Sequence, residues 1–196
     1  MTEENNDKID IKSMNYDEVK EYVKSINEKP FRAKQLYEWI HKNLVLSFDE
    51  MTNLSKDFRA KLDKSCTIEG ARVIKRQTSA DGTSKFLMRL SDGNTVESVL
   101  MKYKHGNSVC ISTQVGCRMG CRFCASTLNG KVRDLKPSEM LDQIYRIQKI
   151  TGERVSNVVV MGSGEPMDNF DNLIKFIELL NDPRGLNISQ RNITVS

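Results

Sequence analysis

Residues 157–161 read Asn-Val-Val-Val-Met, a short apolar run with turn-forming residues on both sides. A strand that is apolar at every position, rather than at every second one, belongs in a parallel sheet covered on both faces. The neighbouring segments agree. Residues 138–150 place Met140, Ile144 and Ile147 on one helical stripe, with Gly152 as terminator. Residues 170–181 do the same with Leu173, Ile174, Ile177 and Leu180, and 191–196 (RNITVS) begin a further strand. With a strand predicted at 108–113, the order becomes βαβαβ. That order requires a parallel sheet with right-handed crossovers.

Upstream the period is different. Residues 71–78, 84–90 and 95–102 alternate apolar with polar, and Ala80-Asp81-Gly82 and Asp92-Gly93-Asn94 separate them. This predicts an antiparallel β-unit joined by hairpins. Before it, Tyr16, Val19, Val23 and Ile26 recur at helical spacing, and Lys29-Pro30 punctuates. A second helix is expected in 31–46 (Phe31, Leu36, Tyr37, Ile40, Leu44) and a third, capped by Ser55, with Phe58 and Leu62. The expected organisation is a disordered tail over 1–13, a helical domain over 14–69, a β-unit over 70–106 and a β/α series over 107–196.

A chain of 196 residues with 38% hydrophobic side chains buries enough surface to fold without disulfide staples. No apolar run approaches the length of a membrane span. The segment MTEENNDKID is acidic and polar, unlike a targeting peptide. The net charge of +4 is uneven. Residues 70–136 carry 12 basic and 4 acidic side chains, a net of +8, between flanks that are each −2. A concentrated positive charge points to an anionic partner.

Five cysteines, an odd number, speak for a reducing compartment rather than a disulfide framework. Cys66 stands alone and reads as a small packing residue. Cys117, Cys121 and Cys124 form CxxxCxxC, with Gly120 permitting a tight loop. Three thiolates leave a fourth position open on an iron–sulfur centre, whereas a structural zinc needs four ligands. A zinc site completed by Cys110 or His105 is the alternative. Residues 161–166, Met-Gly-Ser-Gly-Glu-Pro, directly follow the apolar strand, where α/β folds place ligands. Their glycines would let backbone approach a ligand, and Glu165 would accept from an ammonium group.

CxxxCxxC after the first strand of a β/α series, with Phe123 before the third cysteine, resembles the signature of radical S-adenosylmethionine enzymes. Four segments narrow the resemblance: PFRAKQLYEWIHK (30–42), VESVLM (96–101), CISTQVGCRMGCRFCAST (110–127) and MGSGEPMDNFDN (161–172). They are similar to the N-terminal half of the dual-specificity rRNA and tRNA adenine-C2 methyltransferases (the RlmN family), and less closely to the related C8 methyltransferases. The resemblance implies an α/β fold: a helical accessory domain, a small antiparallel β-unit and the first half of a partial (β/α)6 barrel. It implies a 4Fe-4S cluster on Cys117, Cys121 and Cys124, and S-adenosylmethionine held by Gly164, Glu165 and Ser196.

In that family one cysteine near the C-terminus carries a methyl group, and a second releases the product through a transient disulfide. The second matches Cys110, and Glu97 matches a proposed proton acceptor. Alternation sets Glu97 with Val99 and Met101, on a side that could face an interior. The resemblance further implies 23S rRNA and tRNA as partners, an electron donor such as flavodoxin or ferredoxin, a monomer and a cytoplasmic location, with no membrane association. Lys102, Lys104, Arg118, Arg122, Lys131, Arg133 and Lys136 would form a phosphate-contacting rim with only Asp134 as counter-charge. None of the five cysteines matches the methyl carrier, so the chain reads as a truncated form that would not complete methyl transfer alone. A non-catalytic RNA-binding fragment and a zinc-stabilised RNA-binding module remain the other readings.

Overall fold

A computed structural model describes residues 8–196, so the first seven residues of the expected tail lie outside the described residues. The chain divides into two compact units, one holding the residues up to Glu69 with Glu178–Asn187, the other Gly70–Ile177 with Ile188–Ser196.

In the first unit the tail is ordered earlier than its composition suggests. Strand β1 (Ile9–Asp10) pairs in parallel with β2 (Cys66–Thr67), and Ile11 is fully buried. Between them lie α1 (Tyr16–Ser25), α2 (Phe31–His41) and α3 (Lys56–Ser65). Asn15 opens α1 with a capping box, its Oδ1 accepting from the Glu18 N–H at 3.0 Å. Helix α2 stops at His41 rather than continuing to residue 46, because Leu44 adopts a positive φ of 54° and turns inward. Val19, Val23, Leu36, Tyr37, Ile40, Phe58 and Leu62 form the core. Glu178–Asn187 joins this unit although its helix begins in the other. Asp182 fixes the Arg184 guanidinium through bonds of 2.8 and 2.9 Å, and that guanidinium lies 3.8 Å from the Tyr16 ring centroid.

His41 is completely buried against Tyr37, their ring centroids 4.3 Å apart. Burial pulls its pKa down to about 3, with Lys12 adding to the effect. The imidazole is therefore neutral at ordinary pH.

The second unit is built on β3 (Arg72–Thr78), β4 (Ser84–Arg89), β5 (Thr95–Tyr103) and β6 (Gly106–Cys110), followed by the short pair β7 (Gln114–Gly116) and β8 (Lys131–Asp134). Then come α4 (Pro137–Thr151), β9 (Val155–Val160), α5 (Phe170–Asn181) and β10 (Ile193–Val195). The expected antiparallel unit and the parallel strands are one six-stranded sheet, ordered β10-β9-β6-β5-β4-β3. Its β3–β6 half is antiparallel, while β6, β9 and β10 run parallel.

One face of this sheet is covered. Phe86, Met88, Val96, Ser98, Leu100, Val109, Val158 and Val160 are all buried there, and Ser98 Oγ donates to Gln143 of α4 at 2.8 Å. On the opposite face Val159 is half-buried. Strands β7 and β8 were not expected. They pair antiparallel and enclose the cysteine segment as a hairpin excursion.

Candidate active site

Strands β6, β9 and β10 are parallel, with Cys110 opposite Val159 and Val160 opposite Val195. Their carboxyl ends lie on one edge, the edge where α/β sheets bind ligands. Three segments leave that edge: Ile111–Gln114 towards the cysteine loop, Met161–Glu165, and Ser196, whose N–H donates to the Val160 carbonyl at 3.4 Å.

The cysteine loop is pinched at its base. The Cys117 N–H donates to the Gly130 carbonyl at 3.2 Å, and a Cβ on Gly116 (φ +72°) would sit 1.9 Å from that same oxygen. Within the loop the Cys124 N–H donates to the Cys121 carbonyl at 3.0 Å. Cys117 is buried, Cys121 exposed and Cys124 half-buried, and all five cysteines are free. The disulfide implied by the resemblance is thus not formed among them. The loop carries its three thiols without gathering them: among the described residues no three His, Cys, Asp or Glu side chains converge on a metal position. The donor set itself, three unpaired soft thiols on one eight-residue loop, fits an iron–sulfur cluster. His105 does not complete a zinc site, since it precedes β6 while the loop follows it, a strand of roughly 16 Å away.

The 161–166 loop lies directly on the segment leading to the cysteines. The Gly162 N–H donates to the Ile111 carbonyl at 2.9 Å, and the Ser163 carbonyl accepts from the Thr113 and Gln114 N–H groups at 2.9 and 3.2 Å. A Cβ on Gly162 would meet the Ile111 oxygen at 2.6 Å, and one on Gly164 (φ +108°) would meet Gln114 Cβ at 2.6 Å. These glycines are needed for loop-on-loop packing, where the sequence suggested ligand approach. Glu165 is held at both levels: its N–H donates to Gln114 Oε1 at 2.8 Å, and its own Oε1 accepts from the Met167 N–H at 3.1 Å.

This architecture matches known proteins at both ends of the chain. Residues 9–68 match the family described as the ribosomal RNA large subunit methyltransferase N-terminal domain, and residues 111–196 match the radical SAM superfamily. A probable dual-specificity RNA methyltransferase RlmN from Lachnospira eligens is 74% identical over 190 residues, which is 95% of this chain. Its counterpart from Desulforamulus reducens is 55% identical over the whole chain. Over 95% of its length the chain is similar to the N-terminal half of RlmN-family proteins. It spans about half the length of these curated relatives, 54% and 56% respectively. A crystal structure of a radical SAM methyltransferase from Sphaerobacter thermophilus superposes with a TM-score of 0.89 at 33% identity, over 95% of this chain and 56% of that one. The expected fold, the helical accessory unit with a β-unit and the first half of the radical SAM barrel, is the fold of this chain.

Within it, Glu97 lies on the sheet face opposite α4. Val96, Ser98 and Leu100 occupy the face packed by α4, so Glu97, Val99 and Met101 take the opposite one. Glu97 is half-exposed there and pairs with Lys85 at 3.0 Å. Val99 stands opposite Cys110 in the ladder, so Glu97 and Cys110 share that face. Burial pushes the Cys110 thiol pKa up, and the Met161 N–H donating to its sulfur pulls the other way.

The basic rim is largely neutralised. Lys102 pairs with Glu153 at 2.5 Å, Arg133 with Asp92 at 2.6 Å and Glu139 at 2.7 Å, Lys131 with Asp134 and Asp168, and Arg118 with Asp168. Among the described residues only the side chains of Lys104, Arg122 and Lys136 of the seven make no ion pair with a carboxylate. Three of the counter-charges, Asp92, Glu153 and Asp168, lie far off in sequence, and the local count of Asp134 alone overlooked them.

Sequence reading also missed the residues that shape the site. Gln114 is fully buried, donating to Asp134 at 2.8 Å and Asp168 at 3.1 Å while accepting from Glu165. Lys131, Arg118 and Gln114 hold the Asp168 pKa down at about 2. Asn169 donates to the Thr113 and Leu135 carbonyls at 3.0 and 2.8 Å. The only signal available was their position beside the two motifs.

Proposed function

We propose that this chain acts in a radical S-adenosylmethionine methyltransferase that methylates C2 of adenosine in 23S rRNA and in tRNA through a methyl-cysteine. The observation that carries the reading is the arrival of the cysteine loop, the Gly-Glu-Pro loop and Ser196 at one carboxyl sheet edge, beside the face bearing Glu97 and Cys110. No helix among the described residues is long and apolar enough to cross a membrane.

Cys117, Cys121 and Cys124 would hold a 4Fe-4S cluster, and Gly164, Glu165 and Ser196 the S-adenosylmethionine. When bound, the cluster supplies the electron that splits the cofactor. Glu165 orients the amino group: its Oε1 is engaged by the Met167 N–H, which leaves Oε2 to accept from an ammonium. Glu97, which pairs with Lys85, would take a proton from the adenine ring, and the half-buried Cys110 thiol would take part in product release. The target base has to leave its stack to reach this edge. The same reading assigns an electron donor such as flavodoxin or ferredoxin, a monomeric state and a cytoplasmic location, supported by the free thiols.

The test is anaerobic reconstitution of a full-length protein followed by incubation with 23S rRNA and tRNA and mass spectrometry of the nucleosides. C2-methyladenosine is expected. C8-methyladenosine would assign the related chemistry, and RNA retention without methylation a binding role.

A further inference from the structure

One carboxylate just beyond the Gly-Glu-Pro loop reaches across to the cysteine loop and both strands that flank it. Asp168 lies in the 3-10 turn Pro166–Asn169, three residues after Glu165. It accepts from Arg118, the residue after Cys117, from Lys131 Nζ at 3.0 Å and from Gln114 Nε2 at 3.1 Å. Gln114 lies in the strand entering the cysteine loop and Lys131 in the strand leaving it. Through its other amide atom Gln114 takes the Glu165 N–H. The carboxylate is 13% exposed and the Arg118 side chain 67%, so the strut has a fixed end and an adjustable end. A second direct side-chain link between the two loops is neutral, Ser126 Oγ donating to Ser163 Oγ at 3.2 Å.

We propose that Asp168 is a positioning residue coupling the cysteine loop to the Gly-Glu-Pro loop, so that ordering the first around its cluster orders the second for the amino group of the cofactor. This rests on the reading of Cys117, Cys121 and Cys124 as cluster ligands. Two loops that share a strut cannot be ordered independently. Fixing Arg118 fixes the partner of Asp168, and with it the turn that carries the Glu165 carboxylate.

Hydrogen exchange by mass spectrometry tests it on the cluster-free and anaerobically loaded chain, without cofactor and without turnover. In the wild type, loading is expected to slow exchange in both 117–130 and 161–170. In Asp168→Asn and Arg118→Gln the slowing stays in 117–130, and the added protection of 161–170 falls by about fivefold, the scale of one partly exposed ion pair. Asp168→Glu restores it, and raising salt from about 0.05 to about 0.5 M trims it in the wild type alone. Arg118 is exposed, so its variant keeps the fold even where Asp168→Asn does not. Wild-type protection of 161–170 in Arg118→Gln overturns the coupling while leaving the cluster reading intact. A chain that takes up no iron overturns both.

Discussion

Gln143 closes both backbone hydrogen bonds of Ser112: its Oε1 accepts from the Ser112 N–H at 2.8 Å, and its Nε2 donates to the Ser112 carbonyl at 2.8 Å. Ser112 lies between β6 and β7, where the sheet ladder has stopped, and a side-chain amide from α4 stands in for the missing strand. The Ser112 hydroxyl then donates to the Glu97 carbonyl at 2.8 Å and accepts from the Ser163 N–H at 3.0 Å. One buried glutamine thus supports the junction of the Glu97 strand and the Gly-Glu-Pro loop. Gln143→Met keeps its volume but strands two buried backbone groups. We expect a loss on the order of 3 kcal/mol in urea unfolding and weaker S-adenosylmethionine binding. A variant as stable as the wild type would show that water replaces the amide.

The glycines make a sharper steric claim. Gly162→Ala puts a methyl group 2.6 Å from the Ile111 carbonyl oxygen, a backbone atom with nowhere to go. The expected cost is about 1–3 kcal/mol of overpacking, together with lost cofactor binding. Gly120→Ala is the control: its Cβ meets open space, and its penalty comes only from the +69° φ. Calorimetry on the two variants should rank Gly162→Ala as the more damaging. The reverse order would mean that the loop spacing relaxes.

Much of this was legible in the residues. The periods of α4, β9 and α5 depend on local side-chain order, and CxxxCxxC and Gly-Glu-Pro lie in continuous sequence. What stayed hidden depends on distant partners. Glu97 had two possible faces, and only the packing of Gln143 on Ser98 decides between them. Arg133 reads as a free charge until Asp92 and Glu139 come beside it. The β7–β8 hairpin is interrupted by fourteen residues, too wide a gap for any turn signal. Residues 8–13 look unordered because the partner strand of β1 lies more than fifty residues further on.

The cluster ligands can be separated from the other thiols by metal content. Anaerobic reconstitution is expected to give about four irons per wild-type chain. Replacing Cys117, Cys121 or Cys124 by Ala should remove most of that iron, while Cys66→Ala and Cys110→Ala should retain it. Unchanged iron in Cys121→Ala, the most exposed of the three, would refute the assignment. Stoichiometric zinc in place of iron would revive the zinc module.

His41 makes the stability of the helical unit depend on pH. Its pKa is about 3 when folded and 6.5 when unfolded, so between those values the unfolded chain binds a proton that the folded chain does not. The contribution is complete above pH 6.5 and shrinks as the pH falls towards 3, by about 1.4 kcal/mol per unit at most. Lys12 and Asp182 also act on the ring, Lys12 opposing its charge and Asp182 favouring it. His41→Gln removes the titrating group while keeping a polar side chain. The drop in urea midpoint between pH 7 and pH 5 should therefore be smaller in the variant than in the wild type. Equal drops in the two proteins would mean that carboxylates elsewhere, not this buried imidazole, set the acid sensitivity of the unit.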